Sequence, residues 1–244
     1  MSKASKELGM SLFNIDQINQ YLSHISNISP YQLEQLYKAI WETTEMTVAC
    51  GFLTLVGGLP IALFLIITAP DGLRPSPIPH RIVSVIINIF RSIPFIILLV
   101  ALIPVTRFLV GTAIGTEAAI VPLAIATIPY FTRIAEVSLR EVNHGLIEAV
   151  KAMGGSRIAI IKEVLLPEAL PGLISGFTVT IILIVGISAM AGTIGAGGLG
   201  RYAIQYGYQQ FRSDIMAIVI VLLVIMISAI QWAGDYLASK FNHR

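Results

Sequence analysis

Ile215-Met-Ala-Ile-Val-Ile-Val-Leu-Leu-Val-Ile-Met-Ile-Ser-Ala-Ile230 is sixteen residues with no charge and no helix-breaking proline. Extended through Gly234 it reaches the roughly 20 residues that a helix needs to cross a bilayer. It is apolar on every face, so it is read as a membrane span and not as a surface helix. The rest of the chain agrees. Of 244 residues, 55% are hydrophobic and 12% charged, and the mean hydropathy is +0.80. A soluble domain carries about 25% charged residues. A soluble enzyme, a disordered chain and a collagen-like chain are therefore excluded, and a net charge of +2 gives no reason to expect a nucleic-acid partner.

Four further stretches have the length and apolarity of spans: Met46–Ala69, Ile82–Thr106, Thr112–Phe131 and Leu173–Ile194. The third is the weakest, because it contains Glu117, Pro122 and Pro129. The expectation is an all-α membrane protein with five spans, the fifth being Ile215–Gly234, and no internal repeat. The first apolar run begins at Met46, behind Glu42 and Glu45, which is unlike a secretory leader; the first span is expected to be retained. Five spans put the termini on opposite sides. Loops 70–81 and 132–172 and the tail 235–244 hold Arg74, Arg81, Arg133, Arg140, Lys151, Arg157, Lys162, Lys240 and Arg244, nine in all. The other side holds Lys3, Lys6, Lys38, Arg107, Arg201 and Arg212, which is six. The positive-inside rule predicts the central loop and C-terminus in the cytoplasm and the N-terminus outside.

Residues 1–45 read as an extracytoplasmic extension, and 46–244 as the transmembrane domain. Within the extension, Ser29-Pro30-Tyr31-Gln32 has the form of a helix start, with a Ser cap, Pro in the first turn and Gln three residues on. Leu33, Leu36, Tyr37 and Ile40 then fall on one helical face, predicting an amphipathic helix on the outer leaflet that runs into the first span.

The loop after the third span is too charged to cross the membrane, yet helical in pattern. Leu146, Ile147, Val150 and Met153 form one stripe, with Glu148 and Lys151 on the other side. Gly154-Gly155 ends that helix. Ser156 is placed to cap a second one that Leu166-Pro167 ends, and Pro171-Gly172 turns the chain back into the membrane. Two short helices at an angle suit either docking into a groove of a soluble partner or lying on lipid headgroups.

Glu148-Ala149-Val150-Lys151-Ala152-Met153-Gly154, nine residues, then Val164-Leu165-Leu166-Pro167 resembles the EAA loop of the membrane subunits of bacterial ABC importers. That pattern is EAA, three residues, G, nine residues, I, one residue, LP; Val150 and Val164 depart from it conservatively. Asn88-Ile-Phe-Arg-Ser-Ile-Pro-Phe-Ile-Ile-Leu-Leu99 and Gly195-Ala-Gly-Gly-Leu-Gly200 through Gln205-Tyr-Gly-Tyr208 look like the methionine-importer subfamily. So does Val164 through Gly172. The likeness runs from about Trp41 to the C-terminus.

The resemblance implies a type I ABC-importer permease fold in the bacterial cytoplasmic membrane. It implies a homodimer enclosing the pathway, two copies of a cytoplasmic ATP-binding subunit and an extracytoplasmic methionine-binding protein. ATP and magnesium would be held by the ATPase partner, so this chain is expected to have no cofactor, metal or catalytic residue. It lacks a GxxxxGK[ST] loop. The glycine run 195–200 matches GxGxxG, but it follows a membrane span and no strand, so it reads as a close-packed turn. Glu148, Ala149, Gly154, Leu166 and Pro167 are the coupling residues the resemblance implies. Along the fourth span, Gly172, Gly176, Thr180, Ile184, Ser188 and Gly192 recur every four residues, a face of small side chains. Gly186, Ser188 and Met190 are the pathway candidates. Met190 reads as a flexible plug or as plain packing, and Arg91 as a snorkelling or paired side chain near the cytoplasmic third or as a polar element facing a pathway or a neighbouring subunit. Glu117 and Asp214 read as charges at helix N-termini. His24, His80, His144 and His243 are scattered, and a single cysteine, Cys50, permits neither an internal disulfide nor a four-cysteine zinc site. The alternatives are a permease for another small amino acid or polar solute and an ion-coupled secondary transporter, which would want paired charges at the midplane.

Overall fold

A computed structural model describes residues 29–241. Among them every regular element is helical: α1 (Pro30–Thr68), α2 (Pro77–Ser92), α3 (Phe95–Ala101), α4 (Ile103–Val110), α5 (Thr116–Arg140), α6 (His144–Ala152), α7 (Arg157–Gly192), α8 (Gly198–Tyr202, followed by a π-helical stretch, Ala203–Tyr208) and α9 (Ser213–Lys240). Helices α1, α5, α7 and α9 are each long and apolar enough to cross a membrane, and α2 with α3 forms a fifth, bent candidate. Residues 1–28 of the extension lie outside the described residues.

Helix α1 starts where its sequence predicts. Ser29 Oγ accepts from Gln32 N at 3.2 Å, and Gln32 Oε1 accepts from Ser29 N at 3.1 Å, which makes a capping box. The helix then runs 39 residues without a break, roughly 58 Å at 1.5 Å per residue. Its early buried face differs from the expected one. Leu36, Ala39 and Thr43 are buried, while Leu33 and Tyr37 are exposed. What covers this segment is protein: Leu199, Tyr202, Tyr206, Ile215 and Val219 pack with Leu36 and Ala39.

The second predicted span, Ile82–Thr106, is not one helix. Helices α2 and α3 meet at 102°. Pro94 has no N–H to continue the ladder and drives Ile93 out of the helical region, to φ −85° and ψ 123°. Leu102 then separates α3 from α4. Helix α5 starts after two glycines with positive φ, Gly111 and Gly115, and absorbs both Pro122 and Pro129.

Small residues let α1, α5, α7 and α9 approach closely. A Cβ on Gly58 would lie 2.8 Å from Phe131 Cδ1, and one on Gly234 would collide with Thr178. Hydroxyls stitch α1 to α5: Thr54 and Thr127 are 2.6 Å apart, and Thr132 donates to the Gly58 carbonyl at 3.3 Å. These are the devices of membrane helix packing, where no hydrophobic drive separates protein from lipid. One end of the bundle carries α6, and the opposite end carries α8. Trp232 and Tyr236 stack on α9 with centroids 6.1 Å apart and are both exposed.

Candidate functional site

At one end of the bundle, α6 and the start of α7 form a knob. Asn143 caps α6, accepting from Gly145 N at 2.8 Å. The helix ends at Gly154, whose φ is +79°. Gly155 N donates to Val150 O at 2.9 Å and Gly154 N to Lys151 O at 3.0 Å. This pair of bonds is a Schellman motif, in which a left-handed residue closes the helix. A Cβ on Gly154 would meet nothing, so its glycine answers to backbone conformation. A Cβ on Gly155 would sit 2.5 Å from Val150 Cγ1 and 2.8 Å from its carbonyl, so that glycine answers to space.

The apolar stripe of α6 divides. Ile147 and Val150 pack against the core cluster of Leu139, Ile160 and Leu165 and seat the knob on the bundle. Leu146 and Met153 face outward, together with Ile158 of α7; Met153 is 78% exposed. Glu148, Ala149 and Gly154 are exposed beside them. Glu148 and Lys151 also border a 260 Å³ hollow with Asp71, Arg140 and His144.

Leu166-Pro167 does not end a helix, and Pro171-Gly172 makes no turn. Ser156 caps the start of α7, accepting from Ala159 N at 3.2 Å. The chain then passes through a π-helical stretch, Ile160–Leu165, and continues to Gly192 as one 36-residue helix. The wider turn just ahead of Pro167 accommodates a residue that has no N–H to give. Leu166 packs on the core cluster, while Pro167 is exposed.

Beneath the knob is a group that the sequence reading missed. Glu136 is 2% exposed, and its two carboxylate oxygens each take a guanidinium, Arg133 and Arg140, at 2.5 Å. The spacing i−3 and i+4 was the available signal. Breaking one arm would strand charge in a buried place.

The small-residue face of α7 packs inside the chain. A Cβ on Gly172 would lie 3.0 Å from Ser138 Oγ, and one on Gly176 would collide with Ile134 of α5. Thr180, Ile184, Ser188 and Gly192 are buried. Ser188 therefore does not share a surface with the other pathway candidates; its hydroxyl donates to Val185 O at 2.8 Å. Gly186 and Met190, one turn apart, are on an open face with Ser175 and Val179. A Cβ on Gly186 would meet nothing within 4 Å, and Met190 is 47% exposed.

The glycine run after α7 is held by α1. Gly198 N donates to Glu42 Oε2 at 2.7 Å, and Leu199 N to Thr43 Oγ1 at 2.8 Å. A Cβ on Gly197, whose φ is +90°, would lie 2.5 Å from Glu42 Oε2. The amides that a phosphate would need are thus already taken by this chain's own side chains. Nearby, Arg212 clasps Asp214 through two bonds of 2.5 and 3.3 Å and reaches Gln32 Oε1 at 3.1 Å. The bond to Asp214 holds the Arg212 guanidinium above its ordinary value. Asp214 and Glu117 lie in the first turns of α9 and α5.

The sequence matches the family described as binding-protein-dependent transport system inner membrane component, over residues 58–242. The chain is 44% identical over 209 residues to the probable D-methionine transport system permease protein MetI of Vibrio cholerae, covering 86% of this chain and 93% of that one. It is 41% identical over 212 residues to the methionine import system permease protein MetP of Bacillus subtilis, covering 87% and 96%. A chain in an inward-facing structure of the MetNI methionine ABC transporter superposes with a TM-score of 0.87 at 48% identity, covering 88% of this chain and all of that one.

Proposed function

The chain belongs to the family of binding-protein-dependent transport system inner membrane components, and from that premise we propose that it is the permease subunit through which an ATP-driven importer passes methionine. Two of its relatives, the Vibrio cholerae and Bacillus subtilis permeases, are both named for methionine transport. Hydrolysis of ATP, with its magnesium, belongs to a separate ATPase subunit. The permease works as two copies around a two-fold axis, a closed symmetric assembly, with two ATPases on the side of α6 and a solute-binding protein on the side of α8. The α6 side is cytoplasmic, as the Lys/Arg count favours, and the protein crosses the bacterial inner membrane several times.

The observation that carries the reading is helix α7. At one end it bears the knob, where Leu146, Met153 and Ile158 offer exposed apolar side chains to a groove beside Glu148, Ala149 and Gly154. Near the other end it bears Gly186 and Met190 on an open face. One helix runs from Ile158 to Met190, and the Gly154-Gly155 turn joins α6 to its start. When ATP draws the two ATPases together, the knobs move with them. The Met190 thioethers, flexible and set next to small neighbours, then separate at the axis and meet again after hydrolysis. Leu166 and Pro167 lie at the passage from knob to span.

The test is reconstitution of the permease with its ATPase and binding protein in proteoliposomes. ATP-dependent uptake of labelled methionine, abolished without the binding protein, is expected. Uptake that a different amino acid supports and methionine does not would replace the substrate. ATP hydrolysis with no amino-acid uptake at all would overturn the reading.

A further inference from the structure

Helix α2 has three faces. Val83, Ile86, Ile87 and Phe90 line an apolar crevice of about 590 Å³ with Pro60, Ile61 and Phe64 of α1 and Ile125, Ile128 and Pro129 of α5. Ile82, Val85 and Ile89 are exposed and apolar, as a lipid-facing side should be. The third face is polar. Arg81, Ser84, Asn88 and Arg91 recur at spacings of three and four, with Ser92 beside them, and all but the half-buried Ser84 are exposed.

Arg91 lies at the end of this stripe away from the loop that precedes α2. It lies ten residues beyond Arg81, roughly 15 Å along the helix, half of the ~30 Å hydrocarbon layer. Its neighbour Phe90 shares the crevice with Ile125, Ile128 and Pro129, the middle of α5. Beyond it the chain bends by 102°, and Phe95 and Leu99 join the cluster of Ile184, Ile187 and Ala191 on α7. A snorkelling arginine has to reach an interface, and none is near. Among the described residues Arg91 has no carboxylate partner, like Arg81 of the same stripe, whereas Arg133, Arg140 and Arg212 are paired. An arginine at this depth needs water or a partner.

We propose that the polar stripe of α2 lines the aqueous pathway and that Arg91 pairs with the carboxylate of the amino acid in transit. The planar guanidinium matches a carboxylate with two parallel hydrogen bonds. Asn88, one turn earlier, presents an amide carbonyl that can accept from the ammonium group. The same stripe would reject an uncharged solute of equal size only weakly and an organic cation strongly. This assignment rests on the function proposed above.

Two measurements test it. In a Cys50→Ala background, Asn88→Cys should react with a charged, water-soluble thiol reagent, and Ile87→Cys, on the crevice face, should not. Equal inertness of the two would remove the stripe from water. In proteoliposomes, Arg91→Gln should slow methionine uptake about 10- to 100-fold, the worth of a hydrogen bond to a charged group, while ATP hydrolysis continues. Arg91→Lys should recover a large part of the rate, because it restores the charge. Wild-type uptake by Arg91→Gln overturns the pairing. Dissociation of the permease dimer in Arg91→Gln, seen by mass in detergent, makes Arg91 a subunit contact and also overturns it. If the wild-type assembly takes up no methionine, the function above has failed; labelling at Asn88 then still decides whether the stripe is wet.

Discussion

Removing the Glu42 carboxylate should loosen the whole α8 end of the bundle. Glu42 Oε2 accepts from Gly198 N at 2.7 Å, across 156 positions of sequence. Gly198 is buried, so its amide has no ready replacement partner. A hydrogen bond to a charged group contributes about 1.5–3 kcal/mol. For a chain of this size 1 kcal/mol moves the melting temperature by about 2–4 °C, so Glu42→Ala should lower it by roughly 3–12 °C. Glu42→Gln keeps an acceptor oxygen without the charge, and should fall between that value and wild type. The protein carries its own reporter. Cys50 is the sole cysteine and is fully buried, so a fluorogenic thiol reagent in detergent reads the unfolding of the α1–α5 contact directly. Thr43→Val should act similarly, because it strands the amide of Leu199, which is 1% exposed. The two losses lie in one turn and should not add. A melting temperature for Glu42→Ala within 1 °C of wild type would refute the reasoning that this turn is held by its trans cap.

Gly154→Val should weaken ATPase association by about 5- to 30-fold, from the 1–2 kcal/mol that a left-handed residue with a Cβ carries, and Gly154→Asn should weaken it less; a pull-down titration ranks them, and equal loss in both would point to contact and not conformation. Gly154→Asp should insert normally in the membrane but neither bind its ATPase nor transport, which the same titration and an uptake assay check. Met190→Ala should produce ATP-independent methionine leak from proteoliposomes with an unchanged melting temperature, whereas a pure packing role would lower stability without leak. For orientation, Lys38→Cys should be labelled by an impermeant thiol reagent on intact spheroplasts and Ser156→Cys only after lysis, both in the Cys50→Ala background; the reverse pattern inverts the topology.

The sequence was most legible where one residue type has one physical use. The apolar runs announced α1, α5, α7 and α9, and the glycine pair at 154–155 announced the end of α6. It was least legible where apolar composition hides backbone events. Ile82–Thr106 is apolar enough to read as one span, yet Pro94 breaks it by a sharp bend. Leu166-Pro167 and Pro171 read as stops, yet a π-helical stretch carries the chain past them. Periodicity finds the small face of α7 but not what packs on it: Ser188 lies on the packed side, and Gly186 and Met190 lie on the open one. The caps from Glu42 and Thr43 were invisible, because their partners are backbone amides and carry no residue signature.

The continuous course of α7 would set the gain of the machine proposed above. A helix of 36 residues is a rod of roughly 54 Å, and a tilt of about 10° about its midpoint sweeps each end through about 5 Å. In the dimer proposed above, two such rods would change the gap between their Met190 ends by about twice that from a modest swing at the ATPases. Between Ile158 and Met190 no loop intervenes to absorb the stroke as slack. In the mechanism proposed above, the permease then needs no large rearrangement of its core to move from closed to open: the two copies act as a pair of levers, and stiffness along α7 between Ile158 and Met190 matters more than any single contact at either end.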